Sequence, residues 1–286
     1  MSERQARKSR FGVRPSVCWL MLSVLSIPPA YAQTRSIQMA PVSREVIEQH
    51  VREFSDKDSE RELVLRRLFV ESGCKEDRLS EQWVRRKDPP NLKCTLPGKG
   101  AGVIIVAAHF DHVRAGKGVI DDWSGASLLP SLFQSLSGTE RNHTFEFVGF
   151  TDEEEGLVGS KYFVKQLTRE QAENIRAMIN LECLGLTPTK VWVSHADRAL
   201  LAHFTRVAAS MKLPIAGVNV DNVGDDDADS FRGRKIPTIT VHSVTAETFS
   251  ILHSRRDDLP ALNPDEYYDS YRLVAGYLAY LDAVLN

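Results

Sequence analysis

The sequence predicts an α/β protein: a single domain with a mixed, mostly parallel central sheet and helices on both faces. Three observations carry this. Short apolar, β-branched runs (GVIIVAAHF, TFEFVGF, AMINLECL, IPTITVHS) recur after Pro89-Pro90, and continuous apolar strands of that length belong to sheets covered on both faces. Longer stretches with helical spacing alternate with them, as in a layered sheet joined by crossover helices. The chain has 286 residues, 42% hydrophobic and 26% charged, with no internal repeat and no Gly/Ser-rich linker to divide it, so one sizeable core is the simplest organisation. This composition excludes disorder, collagen and coiled coil. A formal net charge of −2 offers no basic field for a nucleic-acid partner.

Residues 1–32 have the three parts of a secretory signal peptide. Arg4, Arg7, Lys8, Arg10 and Arg14 form a basic start, Val17 to Ile27 an apolar run, and Ala30-Tyr31-Ala32 a cleavage site. The 11 residues of the run, closed by Pro28-Pro29, fall short of the roughly 20 that a bilayer span requires. Cys18 lies at the start of the run and not just after it, which argues against a lipoprotein. Cleavage would leave residues 33–286 as a mildly acidic exported domain, periplasmic or secreted, with no membrane attachment.

Export exposes cysteines to oxidation. Cys74 and Cys94 bound a charged segment, ESGCKEDRLSEQWVRRKDPPNLKC, with too few apolar residues to hold itself in place. A disulfide there would stabilise the fold by about 3 kcal/mol in the chain-entropy model; two unpaired surface thiols are the alternative. Cys183, in the apolar run MINLECLGL, reads as a small core residue.

The elements follow in order. Val42 to Ser72 show helical spacing (Val46, Ile47, Val51, Phe54, then Leu63, Leu65, Leu68, Phe69) with Ser43 and Ser59 as caps. The strand GVIIVAAHF, the helix WSGASLLPSLFQSL, the strand TFEFVGF, the helix GLVGSKYFVKQL and the strand AMINLECL come next. KVWVSH, the helix ALLAHFTRVAASM and the strand IPTITVHS follow, and YYDSYRLVAGYLAYLDAVL closes the chain as a helix.

In such sheets ligands bind beyond the carboxyl ends of the strands. There GVIIVAA runs into His109-Phe110-Asp111-His112, TFEFVGF into Thr151-Asp152-Glu153-Glu154-Glu155, and AMINL into Glu182. The apolar run before His253, in ILHSRRDDL, reads as a further strand end, and Asp121 and Asp122 occupy a Gly-flanked turn. Any one of these groups could be a solvated charge. Together they would crowd carboxylates that repel unless a cation sits among them, and His with Asp and Glu is the donor mixture of catalytic zinc.

These motifs, AHFDHV, GVIDDWSG, FTDEEEGLVGS, NLECLG and LHSRRD in that order, resemble the co-catalytic di-zinc exopeptidases that include the bacterial leucyl aminopeptidases. The resemblance covers roughly residues 91–286 and implies two zinc ions and the zinc exopeptidase fold. It implies His109 and Glu182 on one zinc, Glu154 and His253 on the other, and Asp121 bridging both. It makes Asp111 the carboxylate that orients His109, Glu153 the general base, with Glu155 a bystander, and the Asp121–Asp122 peptide bond cis. The implied substrates are peptides with a free N-terminus. Two departures stand out: Glu182 replaces the Asp of the best-known members, and Leu252 stands where some members carry an intermediate-stabilising Tyr, leaving His242 as a candidate for that work. Glutaminyl cyclase shares the paired Glu and the late His, but usually has Trp where this chain has Leu252. A non-catalytic relative would have lost ligand residues, which this chain has not. Arg255 and Arg256 beside His253 would suit acidic substrates if they faced the cleft.

Overall fold

β3 (Val103–His109) shows how the sheet is buried. Its alternate residues Ile104, Val106 and Ala108 join one apolar cluster and Ile105 and Ala107 another, because successive side chains of a strand point to opposite faces. The computed structural model describes residues 39–221 and 224–285; the predicted signal peptide lies outside them. Before β3 come α1 (Arg44–Arg52), α2 (Asp58–Glu71), β1 (Leu79–Gln82) and β2 (Asn91–Leu96). After it come α3 (Ser124–Ala126), α4 (Leu128–Ser137), β4 (Thr144–Phe150), α5 (Val158–Gln166), α6 (Arg169–Asn174), β5 (Ile175–Glu182) and β6 (Lys190–Val191). The remainder is α7 (Arg198–Met211), β7 (Ala216–Gly217), α8 (Asp227–Arg232), β8 (Thr238–His242) and α9 (Pro264–Val284).

The described strands form one sheet in the order β1-β2-β4-β3-β5-β8-β6-β7. Its centre, β4-β3-β5-β8, is parallel, while β1–β2, β2–β4 and β6–β8 are antiparallel. The larger cluster packs residues of α1, α2, α4, α7 and α9 on one face; residues of α5 and α8 fill the other. The mixed sheet with helices on both faces is the predicted class. β4 lies on one side of β3 and β5 on the other, so the chain reverses its direction of travel across the sheet at β3. A crevice for ligands opens at the carboxyl ends of such strands.

The Cys74–Cys94 disulfide and the buried Cys183 are as expected; other local expectations are not. The segment between Cys74 and Cys94 is not merely a stapled loop, because β1 and β2 add an antiparallel edge. In β2, Leu92, Cys94 and Leu96 are buried and Lys93 and Thr95 are half-buried, the alternation of a strand with one wetter face. Cys74 and Cys94 are joined by a disulfide, with Cα atoms 6.5 Å apart, and both are buried, so they are not surface thiols. Cys183 is free and buried. α2 starts at Asp58, with no side-chain cap. KVWVSH is a strand only over β6 before a tight turn at Val193–His195.

Candidate metal centre

β3 ends on His109 and β5 on Glu182, two neighbouring strands of the reversal. His109 Nε2 lies 3.3 Å from Glu182 Oε1 and 3.3 Å from Asp121 Oδ1, with Glu153 Oε2 at 4.0 Å. Its Nδ1 is 3.1 Å from the main-chain oxygen of Asp111. In the neutral ring, donation of the Nδ1 proton to that carbonyl would leave the Nε2 lone pair facing the acids. The other oxygen of Glu182 accepts from Asn180 Nδ2 at 3.0 Å, so the longer Glu side chain is accommodated within hydrogen-bond reach of its neighbours.

Asp121 comes from the turn between β3 and α3, at Val119–Trp123. Gly118 opens that turn at φ +52°, and a Cβ there would collide with the Cβ of His112. The Asp121–Asp122 bond is cis. Asp122 Oδ1 accepts from the main-chain N–H groups of Cys183 (2.9 Å) and Gly125 (3.2 Å), which ties the turn to the end of β5. A Cβ at Gly125 would approach Asp122 Oδ2 to 2.7 Å, so the tie requires glycine.

The third contribution follows β4. Asp111 Oδ1 accepts from the Glu153 N–H at 3.1 Å and Oδ2 from the Glu154 N–H at 3.2 Å. Its carboxylate therefore holds the acidic turn, while its main-chain carbonyl, not the carboxylate, is the closer partner of His109. Glu154 Oε2 lies 3.0 Å from His253 Nε2, which is 3.1 Å from Asp121 Oδ2. His253 is not at a strand end. Its apolar approach forms a single tight turn at Phe249–Ile251, and His253 itself adopts φ +51°, as Asp152 and Cys183 adopt +54° and +50°. Such conformations are sparsely populated by L residues and concentrate at functional sites.

The five residues predicted to bind metal thus meet in two groups, His109–Asp121–Glu182 and Asp121–Glu154–His253, each with donor atoms within 4.8 Å of one another. Asp121 belongs to both. The electrostatics are those of crowded charge. Burial, followed by the nearby acids Glu182 and Asp227, pushes Glu153 up to about 10 although His109 pulls it down. Burial and Asp121 push Glu154 to about 7. His253 rises to about 9 through its hydrogen bond to Asp121. His109 is raised too, the facing Glu153 and Glu182 more than offsetting its burial. Only Asp121, although burial opposes it, is held low, by its hydrogen bonds to the two imidazoles.

Two supports went unrecognised in the sequence. Arg61 of α2 is fully buried and donates to the carbonyls of Phe110 (3.1 Å), Gly118 (3.1 Å), Ser55 (2.7 Å) and Lys117. Asp257, in the motif LHSRRD, accepts from the N–H groups of Ile120 (2.7 Å) and Asp121 (3.3 Å). His242 does not present a free nitrogen: Nδ1 accepts from the Val244 N–H and Nε2 lies 3.1 Å from the Val218 carbonyl, and burial lowers it to about 4. The centre opens on a cleft of about 460 Å³ whose lining includes Asp121, Glu153, Glu154, Glu182 and His253 but neither Arg255 nor Arg256. Arg256 instead donates to the carbonyl and hydroxyl of Ser250.

Comparison with known proteins places this geometry in context. A family model, Peptidase family M28, matches residues 91–278. A probable leucine aminopeptidase of Arthroderma otae is 23% identical over 219 residues, 72% of this chain and 60% of the relative, so the chain spans well under the relative's full length. Among solved structures, Legionella pneumophila LapA superposes with a TM-score of 0.71 at 20% identity, covering 84% of this chain and 74% of that one. An Acidobacteriales bacterium glutaminyl cyclase gives 0.71 at 15% identity, covering 88% and 99%. At these identities the solved structures speak for the fold. No helix among the described residues is long and apolar enough to cross a membrane.

Proposed function

The chain belongs to peptidase family M28, and from that premise we propose that it is a zinc-dependent aminopeptidase removing N-terminal residues from peptides. The observation that carries the reading is the pair of donor groups sharing Asp121, with Glu153 beside them, at the mouth of a cleft. The residues fit two zinc ions. Imidazole nitrogen and carboxylate oxygen are the donors zinc takes in catalytic sites, and carboxyl groups forced upward by burial and by one another are what bound cations relieve. His109 and Glu182 would hold one ion, Glu154 and His253 the other, and Asp121 both. Bound zinc would polarise the scissile carbonyl and acidify the attacking water, whose pKa falls towards about 7 in such sites.

The chain's own groups do the rest. Glu153, only partly exposed and next to but not within the donor groups, takes the water's proton on its carboxylate and returns it to the leaving amine. Asp111 fixes Glu153 and Glu154 through their main-chain N–H groups, so base and ligand keep a constant spacing. The cleft, about 460 Å³, is large enough to admit a chain end. A free α-amine distinguishes that end from an internal peptide bond, which offers no such group.

One observation favours a second reading. The solved glutaminyl cyclase is covered over 99% of its length, so the fold of this chain spans nearly the whole of that one. The test is turnover by the zinc-loaded protein of an unblocked aminoacyl substrate, its N-acetylated form and a Gln-initial peptide. The proposal expects hydrolysis of the unblocked substrate alone, falling about 10²–10⁴-fold in Glu153→Gln at unchanged zinc content. Equal cleavage of the acetylated form would overturn the exopeptidase reading. Ammonia released from the Gln-initial peptide without hydrolysis elsewhere would establish the cyclase.

A further inference from the structure

Among the described residues, the cleft is lined by the carboxyl groups of Asp121, Glu153, Glu154, Glu182, Asp225 and Asp226 and by one ammonium, that of Lys161. The acids do not neutralise it. Lys161 Nζ donates to the Gly156 carbonyl at 3.0 Å, and no ion pair joins it to a carboxylate among the described residues. Glu155, on the turn it reaches, is held instead by Arg85 at 2.5 Å. An ammonium has three donors, so one carbonyl leaves it free to take an anion as well.

The position of Lys161 says which anion. It lies in the first turn of α5, its N–H donating to the Leu157 carbonyl at 2.9 Å. Gly156 and Leu157 in turn donate their N–H groups to the Glu153 carbonyl, each at 2.8 Å. The ammonium therefore hangs on the same turn as Glu153. In the reading above Glu153 returns a proton to the leaving amine, so the leaving residue passes beside that turn. A single Cα separates the leaving nitrogen from the next carbonyl carbon of the substrate. In a dipeptide that carbon carries the free carboxylate; in a longer peptide it is a neutral amide. Lysine meets a carboxylate as a point charge on a flexible stem, which suits a group that must depart with the product.

We propose that Lys161 receives the free carboxylate of a dipeptide, which makes dipeptides the preferred substrates of this cleft. The inference rests on the aminopeptidase reading and names which peptides that reaction takes. A cleft of about 460 Å³ has the size of pockets that enclose small ligands, in keeping with a substrate that ends within it.

The test compares leucylglycine with leucylglycinamide, which share the N-terminal residue and the scissile bond and differ in the terminal charge. For the zinc-loaded wild type and Lys161→Gln, the readout is the ratio of kcat/KM for the dipeptide to that for the amide, so intrinsic differences between the two substrates cancel. The ratio should fall about tenfold in Lys161→Gln, the lower end for a hydrogen bond to a charged group, because Lys161 is exposed to water. An unchanged ratio would overturn the proposal while leaving the aminopeptidase reading in place, even if both rates dropped, since loss of the Gly156 contact alone slows both substrates alike. If the wild type hydrolyses neither compound, the aminopeptidase reading fails, and calorimetric titration with the same two compounds decides the anchor. Dipeptide binding about tenfold tighter than that of the amide, with the difference lost in Lys161→Gln, would keep it; equal binding of the two by the wild type would end it.

Discussion

The two donor groups of the candidate metal centre are built on different supports. His109 and Glu182 terminate adjacent parallel strands, and the His109 side chain is 1% exposed. Glu154 and His253 lie in connections, and the His253 side chain is 55% exposed. Strand ends are fixed by ladders of main-chain hydrogen bonds and by a core on each face, whereas a loop residue is placed by the few groups that hold its own turn. The difference teaches that the loop half depends on dedicated braces: Asp111 for Glu154, and for the bridging turn Arg61 and Asp257. The strand half inherits its placement from the sheet.

Asp121 joins the halves, so its removal should have the largest effect. Asp121→Ala deletes one donor from each group and leaves Glu153, Glu154 and Glu182 facing one another without it. On the proposed two-ion reading, zinc content should fall from two equivalents to well under one, and turnover should vanish. Metal analysis beside turnover checks this; a variant that keeps two equivalents would show that the halves bind independently and that Asp121 bridges nothing.

A smaller effect should come from the braces. Arg61→Met keeps much of the buried volume but strips four carbonyls of their donor, and each buried group left unsatisfied costs about 1–3 kcal/mol. The milder Asp257→Asn keeps an acceptor and removes charge beside the Asp121 N–H. Both should weaken zinc binding by about 10–100-fold, as loss of supporting hydrogen bonds around metal ligands does, and Arg61→Met should lower the thermal midpoint as well. Competition with a chelator of known affinity measures the first effect. Unchanged zinc affinity in both variants would mean that the bridging turn holds itself, and the contrast between braced loops and inherited strand ends would fail.

The same contrast governs what could be read from the sequence. His109 and Glu182 were legible because an apolar run that stops on an ionisable residue has few meanings in a parallel sheet. His253 is legible through its motif but its support is not, since FSIL looks like a strand and folds as a tight turn. β1 and β2 escaped notice because only alternate residues of β2 are apolar. Arg61 and Asp257 were illegible for a stronger reason. Their partners are main-chain atoms 49 and 137 residues away, and no spacing of side chains marks a main-chain partner.

The smallest predicted effect concerns pH and sharpens the comparison from the loop half. Glu154 and His253 are both raised in the folded chain, to about 7 by burial and Asp121 and to about 9 by the hydrogen bond to Asp121. A group whose folded pKa lies above its unfolded value stabilises the fold fully below the unfolded pKa and loses that contribution as pH rises through the folded one. The metal-free protein should therefore lose stability between about pH 5 and 9, first as Glu154 ionises and then as His253 discharges. Zinc requires those same protons to leave, so its stabilisation should grow over the same interval. Thermal midpoints with chelator and with saturating zinc should diverge as pH rises from 6 to 9, by several degrees, since each kcal/mol is worth about 2–4 °C in a domain of this size. His253→Gln should remove its share of the divergence above pH 8 and keep the part near 7, because of the two loop donors, Glu154 and His253, only the imidazole titrates so high. Parallel midpoints across the range would mean that zinc displaces no proton from the loop half, and that Glu154 and His253 lie outside the ion's reach.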